Sequence, residues 1–415
     1  MVLFGGAFSA TTGTGVGATV ITLVYDKTVE ANVHLHTETV SDVHGSVNVT
    51  ANTKDLVALV SVNFGVSNGT AANVGGNVLI FQDTVRAQLS GKLLATRNVT
   101  IRGDSLGDLI NAVASVSGSL ANAAVSGAAL VTYFKGITQA FLGEGSGITC
   151  ADLKVMAAST ANINSDTVGL TATFGSAAVS GLVNIIVTNS QTIASIGSGS
   201  SVNAADIQVL AADNYDLLAI AASLSGGSNG IGVTAVVTVA KNTVLAYIGD
   251  NTSLNSQNLT VQAISNRNIR NYAGSIAAGA TAGVGATVMV AVIGGKLDQD
   301  SANAIAKGFQ PDTFVNGISE NSSNPAKAYL AEIRLSSDLA SDETKASGLN
   351  VGNGGKYTGT DGYRSDEFNK QYKPGTNPGE YISDDITNTD GSELGLGKPQ
   401  GDYKNVINAY IGKNC

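Results

Sequence analysis

A unit of roughly 53 residues recurs through the first 300 positions, and it constrains the fold more than any other feature of the chain. Its clearest block is SVNVTANT (46–53), NVTIRGDS (98–105), DLKVMAAS (152–159), DIQVLAAD (206–213) and NLTVQAIS (258–265), with starts separated by 52, 54, 54 and 52 residues. A second block keeps the beat through Ala31, Ala87, Ala140, Ala194 and Ala246, inside phrases such as TVEANV (28–33) and TVLAYI (243–248). A third pairs a glycine with an apolar run at Gly17, Gly75, Gly127, Gly181, Gly232 and Gly285. Self-similarity at a fixed period is the mark of a solenoid or array, in which each unit buries its apolar face only against its neighbours.

Within each block the alternation has period two. In NLTVQAIS, Leu259, Val261 and Ala263 share one face while Thr260 and Gln262 share the other. That is the pattern of a strand. β-Branched residues dominate and glycine punctuates the phrases, which disfavours helix. Gly–Asn–Ser–Asp clusters such as 249–257 and 197–206 supply the corners. Strands of one kind at a fixed interval, with no helices between them, predict an all-β fold, a parallel β-solenoid. Like residues then stack on like at about 4.8 Å per coil. Small inward residues would fill a flattened interior, and outward Thr, Asn and Ser would form hydrogen-bonded ladders. The unit is either one large coil or two coils of half the length. The alternative fold is an antiparallel β-sandwich or barrel array.

Composition agrees with such a body. Glycine numbers 50 of 415, tryptophan is absent and charged residues make up 13%, about half the usual share. The formal net charge of −9 and the absence of any basic run argue against nucleic acid as a partner. Two cysteines, Cys150 and Cys415, build neither a disulfide framework nor a metal cluster. No stretch is apolar for long enough to read as a membrane-spanning helix, and MVLFGGAFSATTG is not a signal peptide. Residues 15–33 match 230–248, and 406–415 match 243–252 cut short. Both ends therefore fall inside repeats, and the chain reads as a segment of a longer polypeptide.

After Gly295 the beat stops. The expected division is solenoid over 1–295, an insertion over 296–403 extruded from a coil corner, and a truncated return over 404–415. All five prolines lie in 311–399, and seven of the twelve tyrosines fall in 301–415. A short helix is expected at 325–341, and the rest reads as loop. Its tyrosines, Tyr357, Tyr363, Tyr372 and Tyr381, amid Asn, Gly and Asp, suit adaptable recognition.

Candidate chemistry is sparse. His34 and His36 lie on one strand face and could share a metal with Glu38 or His44, although simple alternation also accounts for them. Arg102-Gly103-Asp104 spells the tripeptide that integrins read, here straddling a strand end with Gly103 in the inward series. ITNTDGSEL (386–394) partly matches a calcium loop around Asp390, with Asp384 and Asp385 nearby. Ile386 occupies the first ligand position, so the EF-hand pattern fails. Asp361, Asp366, Glu367 and Glu380 offer carboxylates for glycoside chemistry, but their spacing is equally that of a solvated acidic face. No catalytic residue and no cofactor is assigned.

The phrase order GVGATVxVxVxxxxTxAYIGxxxxLxxxNLTVxAxS, present at 230–265 and in part at 283–295 and 15–33, resembles the repeats of large bacterial surface adhesins. These are the filamentous, leukotoxin-like and haemagglutinin-like proteins secreted by type V systems. The resemblance covers about 1–300 and 404–415 and implies a right-handed β-helix. It also implies an extracellular location and a structural shaft role in attachment. Host glycans, matrix proteins or neighbouring bacterial cells would be the partners, and end-to-end or lateral self-association would be open to such a solenoid. The competing expectation is a β-helix polysaccharide lyase or hydrolase with its site beside the insertion.

Overall fold

The computed structural model describes residues 1–293, 406–412 and 415. Among them every regular element is a strand, and every strand pairing is parallel. The fold is a parallel β-solenoid, and the antiparallel alternative is set aside. Each repeat is one large coil. The second coil shows the plan: β4 (Val47–Ser67) runs along one face, a tight turn follows, and β5 (Ala71–Ser90) returns along the other. The short β6 (Lys92–Ala95) then closes the third side.

The first face stacks β1 (Val2–Thr11), β4, β7 (Val99–Ser119), β10 (Asp152–Thr173) and the first half of β13 (Asp206–Ile248). The return face stacks β2 (Gly15–His34), β5, β8 (Ala123–Leu142), β11 (Ala177–Ile196) and the second half of β13. The narrow side holds β3 (Ser41–Val43), β6, β9 (Gly147–Thr149), β12 (Ser201–Asn203) and β14 (Ser253–Asn255). A sixth coil is β15 (Asn258–Ile293), which follows β13 around both faces, with β16 (Val406–Ile411).

Register explains the uneven period. Val47 pairs with Val99, Ala71 with Ala124 and Lys92 with Gly147, offsets of 52, 53 and 55. Extra residues are therefore taken up at the corners while the strands stay in step. The corner after β8 carries Gly145 and the next carries Gly199, both with φ near +65° (63° and 68°); Asn251 holds the corresponding corner at 55°. Left-handed backbone is cheap only for glycine and, less so, asparagine.

Like stacks on like in two of the three sequence blocks. Val99, Leu153, Ile207 and Leu259 form one column, and Ala31, Ala87, Ala140, Ala194, Ala246 and Ala409 form another. The glycine block does not form a single column. Gly127 pairs with Gly181 and Gly232 with Gly285, but Gly17 pairs with Asn73, Gly75 with Ala128 and Gly181 with Val233. Those glycines fall near the start of the return strands without sharing a register position, some facing inward (Gly17, Gly75, Gly232) and others outward (Gly127, Gly181).

The interior changes character from the narrow side toward the turn. Next to the narrow side is an aliphatic cluster that includes Val49, Ala87, Ile101, Leu142, Val155 and Ile207. Beyond it lies a second cluster around Leu59, Leu79, Phe81, Phe134 and Leu217. Here Tyr25, Phe81 and Phe134 stack along the return face with ring centroids 5.0 and 5.7 Å apart. Gly107 and Ala161 on the opposite sheet leave room for these rings. The aromatic column ends at Thr188, and there Tyr215 reaches across from the facing sheet to donate to Thr188 Oγ1 at 3.1 Å.

Nearest the turn much of the interior is polar, against the expectation of an Ala- and Gly-filled core with polar groups outside. Ser61, Asn63, Asn111, Ser117, Ser126, Asn184 and Thr234 are buried. Some of these groups link the two sheets: Asn73 Nδ2 donates to Ser117 Oγ (2.9 Å) and Ser165 Oγ to Asn184 Oδ1 (2.8 Å). Short hydrogen-bonding groups fill much of the gap where the two sheets converge on the turn, around a small buried cluster of Val113, Ala128, Leu130 and Leu182.

The repeat phrase at 406–411 rejoins the stack. Ile293 pairs with Ala240, and Val406 pairs with Thr243. The break therefore falls within the length of a long return strand, not at a corner as expected. The expected helix at 325–341 lies outside the described residues.

Candidate interaction surface

The structure gathers no metal site from the histidines. His34, His36 and His44 are exposed on the first coil, and His34 Nδ1 lies 2.8 Å from Ser90 Oγ of the coil above. Among the described residues no group of three or more His, Cys, Asp or Glu side chains is placed to hold a metal ion. Tyr357, Tyr363, Tyr372, Tyr381, Asp384, Asp385 and Asp390 lie outside the described residues, as do Asp361, Asp366, Glu367 and Glu380.

Arg102-Gly103-Asp104 sits well inside β7, paired on both sides with β4 and β10, and does not straddle a strand end. Arg102 Nε donates to Asp104 Oδ2 at 2.5 Å along the same strand. Gly103 faces inward where the sheets approach closely: a Cβ there would lie 2.5 Å from the carbonyl oxygen of Gln139. The tripeptide is thus a flat, mutually neutralised strand segment, and its glycine answers to packing. A protruding loop tip would present the two charges apart.

A feature missed in the sequence is a set of buried and half-buried polar groups between the two apolar clusters. Lys27 Nζ pairs with both oxygens of Asp55 at 2.9 Å and also donates to Thr53, while Tyr25 donates to Asp55 Oδ1 at 2.8 Å. Burial opposes ionisation of Asp55. The hydrogen bonds from Lys27, Tyr25 and Thr53, followed by the Lys27 charge, outweigh it and hold the carboxyl below its usual range. The Tyr25 phenol is pushed up to about 12, by burial first and then by its bond to Asp55. One coil on, Ser105 Oγ donates to Asp83 Oδ2 at 2.7 Å, and burial raises that carboxyl. Further along, Asn242 Nδ2 donates to Asp213 Oδ2 at 2.6 Å. Burial pushes Asp213 up to about 6, partly offset by Arg267, Asn242 and Ser190. The only sequence signal was polar residues in inward positions, such as Asp55 between Thr53 and Val57.

The outer surface of the first face divides along the strands. The half nearer the narrow side is polar and carries the expected ladders. Asn258 donates to Asp206 at 2.7 Å and Asn266 to Asn214 at 2.9 Å, and Arg270 pairs with Asp216 at 2.7 Å; on the adjoining narrow side Asn255 donates to Asn203 at 2.9 Å.

The half nearer the turn is apolar outside. In SVNFGVS (61–67), Ser61, Asn63 and Ser67 are buried while Val62, Phe64 and Val66 face out. Parallel register repeats this inversion coil after coil. Phe8, Phe64, Val116, Leu170, Leu224 and Ile276 stack into one outward column of large side chains, with the Phe8 and Phe64 rings stacked at 5.6 Å. The columns on either side are smaller: Gly6, Val62, Ala114, Val168, Ala222 and Gly274 on one flank, Ala10, Val66, Gly118, Ala172, Gly226 and Ala278 on the other. In the middle coils the exposed fractions are 39% for Phe64, 38% for Leu170 and 44% for Leu224, high for residues hemmed in by a sheet. The next column toward the narrow side holds Asp166, a half-buried carboxylate raised by burial.

Among the described residues no helix is long and apolar enough to cross a membrane. Cys150 is buried, and burial pushes its thiol up to about 11. No protein-family model, curated protein or solved structure matches the chain.

Proposed function

We propose that this chain is a non-catalytic structural segment, a shaft, of a bacterial extracellular adhesin. It would support attachment to host surfaces or to other cells, with host glycans, matrix proteins or neighbouring bacteria as the contacted partners. The observation that carries the reading is the parallel pairing of coil on coil through six coils, interrupted by one register shift at Gly227/Asn229 near the last turn. A body whose every coil repeats the last can be lengthened without redesign, which is what a spacer holding a contact site away from a surface requires. The likeness of the repeat phrases to haemagglutinin-like adhesin shafts points the same way, as does the scarcity of catalytic side chains in the repeats.

The test is attachment. Beads coated with the chain are expected to adhere to mucin, matrix protein or bacterial cells, or, if the chain is shaft alone, to hold a fused binding domain clear of the bead. Protease applied to intact producing cells is expected to remove it. Turnover of polysaccharide by the purified chain would replace this reading with the β-helix enzyme.

A further inference from the structure

We infer that the apolar outer face near the turn, on the sheet formed by β1, β4, β7, β10, β13 and β15, is a lateral docking surface for a second copy of this chain. The inference does not depend on the shaft reading, since it rests on shape and polarity alone. The face is inverted relative to an ordinary solenoid wall: its serines and asparagines point in and its valines, leucines and phenylalanines point out. In water that arrangement leaves apolar surface uncovered, and contiguous apolar patches beyond a few hundred Å² mark interfaces.

The shape specifies the occupant. A ridge through Phe64, Val116, Leu170 and Leu224 stands above flanking columns whose residue is smaller in every coil, Gly or Ala except at Val62, Val66 and Val168. Two copies related by a two-fold axis, displaced sideways by one outward position, set each ridge into the other's flanking groove. That is the self-complementary contact an isologous dimer needs, built as face-to-face sheet packing. Lipid has no use for such a corrugation, and a stalk of unrelated shape would not match it.

Size is adequate and modest. Seven residues of strand at about 3.3 Å across six coils at about 4.8 Å give about 670 Å² per copy. The total of about 1,300 Å² sits near the lower edge of specific interfaces. A six-coil pair should therefore associate weakly, and each added coil should strengthen it.

Sedimentation velocity from low micromolar to near-millimolar concentration tests the proposal. The wild-type chain is expected to shift from monomer to dimer. Phe64→Lys/Leu170→Lys/Leu224→Lys on the ridge, and separately Ala172→Arg in the groove, are expected to stay monomeric throughout. Thr50→Lys on the polar half should dimerise like wild type. All four side chains replaced in the ridge and groove variants point outward, and unchanged circular dichroism would confirm their folding. A wild-type monomer at near-millimolar concentration would overturn the inference, as would a dimer that survives both sets of changes. Binding of monomeric wild type to phosphatidylcholine vesicles, lost in the ridge variant and without self-association, would reassign the face to lipid.

Discussion

Gly103 and Gly199 are glycines for different physical reasons, and the difference can be measured. Gly199 has φ of 68° and open space where a Cβ would go, so Gly199→Ala is a backbone effect alone. It should cost about 1 kcal/mol in denaturant unfolding. Gly103 has ordinary backbone but a carbonyl 2.5 Å from its missing Cβ, so Gly103→Ala must push the two sheets apart. That overpacking should cost about 1–3 kcal/mol. The buried acids have their own signature. Asp83, Asp166 and Asp213 are all raised by burial, Asp213 to about 6. A raised acid binds its proton more tightly in the folded state, so its contribution grows as pH falls from about 7 toward the unfolded carboxylate value of about 4. Asp55 is lowered and works in the opposite sense, its contribution being lost on further acidification. Thermal stability should therefore rise from about pH 7 to about pH 4.5 and fall below that. Asp213→Asn should flatten the rising limb when melting temperatures are compared across that range.

At the scale of elements, strand type and strand period were legible because alternation survives even where polarity is exchanged between faces. Which face points inward was legible only near the narrow side. Val155 and Ala157 follow the usual rule and are buried; Val62 and Phe64 break it, and a reading by polarity turns that stretch inside out. Near the narrow side the interior is filled by Leu, Ile, Val and Ala, whereas near the turn Ser, Thr and Asn take most inward positions around a small apolar cluster of Val113, Leu130 and Leu182. The aromatic column is the best-defined packing unit. Phe81 is fully buried between Tyr25 and Phe134, and Phe81→Ala should cost about 3–5 kcal/mol, read by denaturant unfolding. No alternation rule could have shown that Tyr215 enters from the facing sheet where that column stops, because the pairing is across the coil and not along the chain.

For the whole molecule, parallel register makes coils interchangeable except where side chains cross the interior. Val99 and Leu153 occupy equivalent positions, so deleting 99–152 should leave a folded rod one coil shorter, with Ala161 taking the place of Gly107. Leu153 and Ile207 are equivalent too. Deleting 153–206, however, removes Thr188 and brings Tyr215 against Phe134, so that shorter rod should melt well below the first. Scattering profiles and thermal melts of the two deletions decide it. The sequence by itself determined that this protein is a repeat of β-strands with a period near 53, because alternation and recurrence are properties of the chain that stacking merely reads out. The tertiary structure alone decided three things: that one period makes a single coil with two long faces, that Asp55, Asp83 and Asp213 are held with polar partners in its interior, and that the outer wall of the first face is apolar near the turn. All three depend on the distance between facing sheets. That distance is set by how the two faces pack across the interior, which no local pattern encodes.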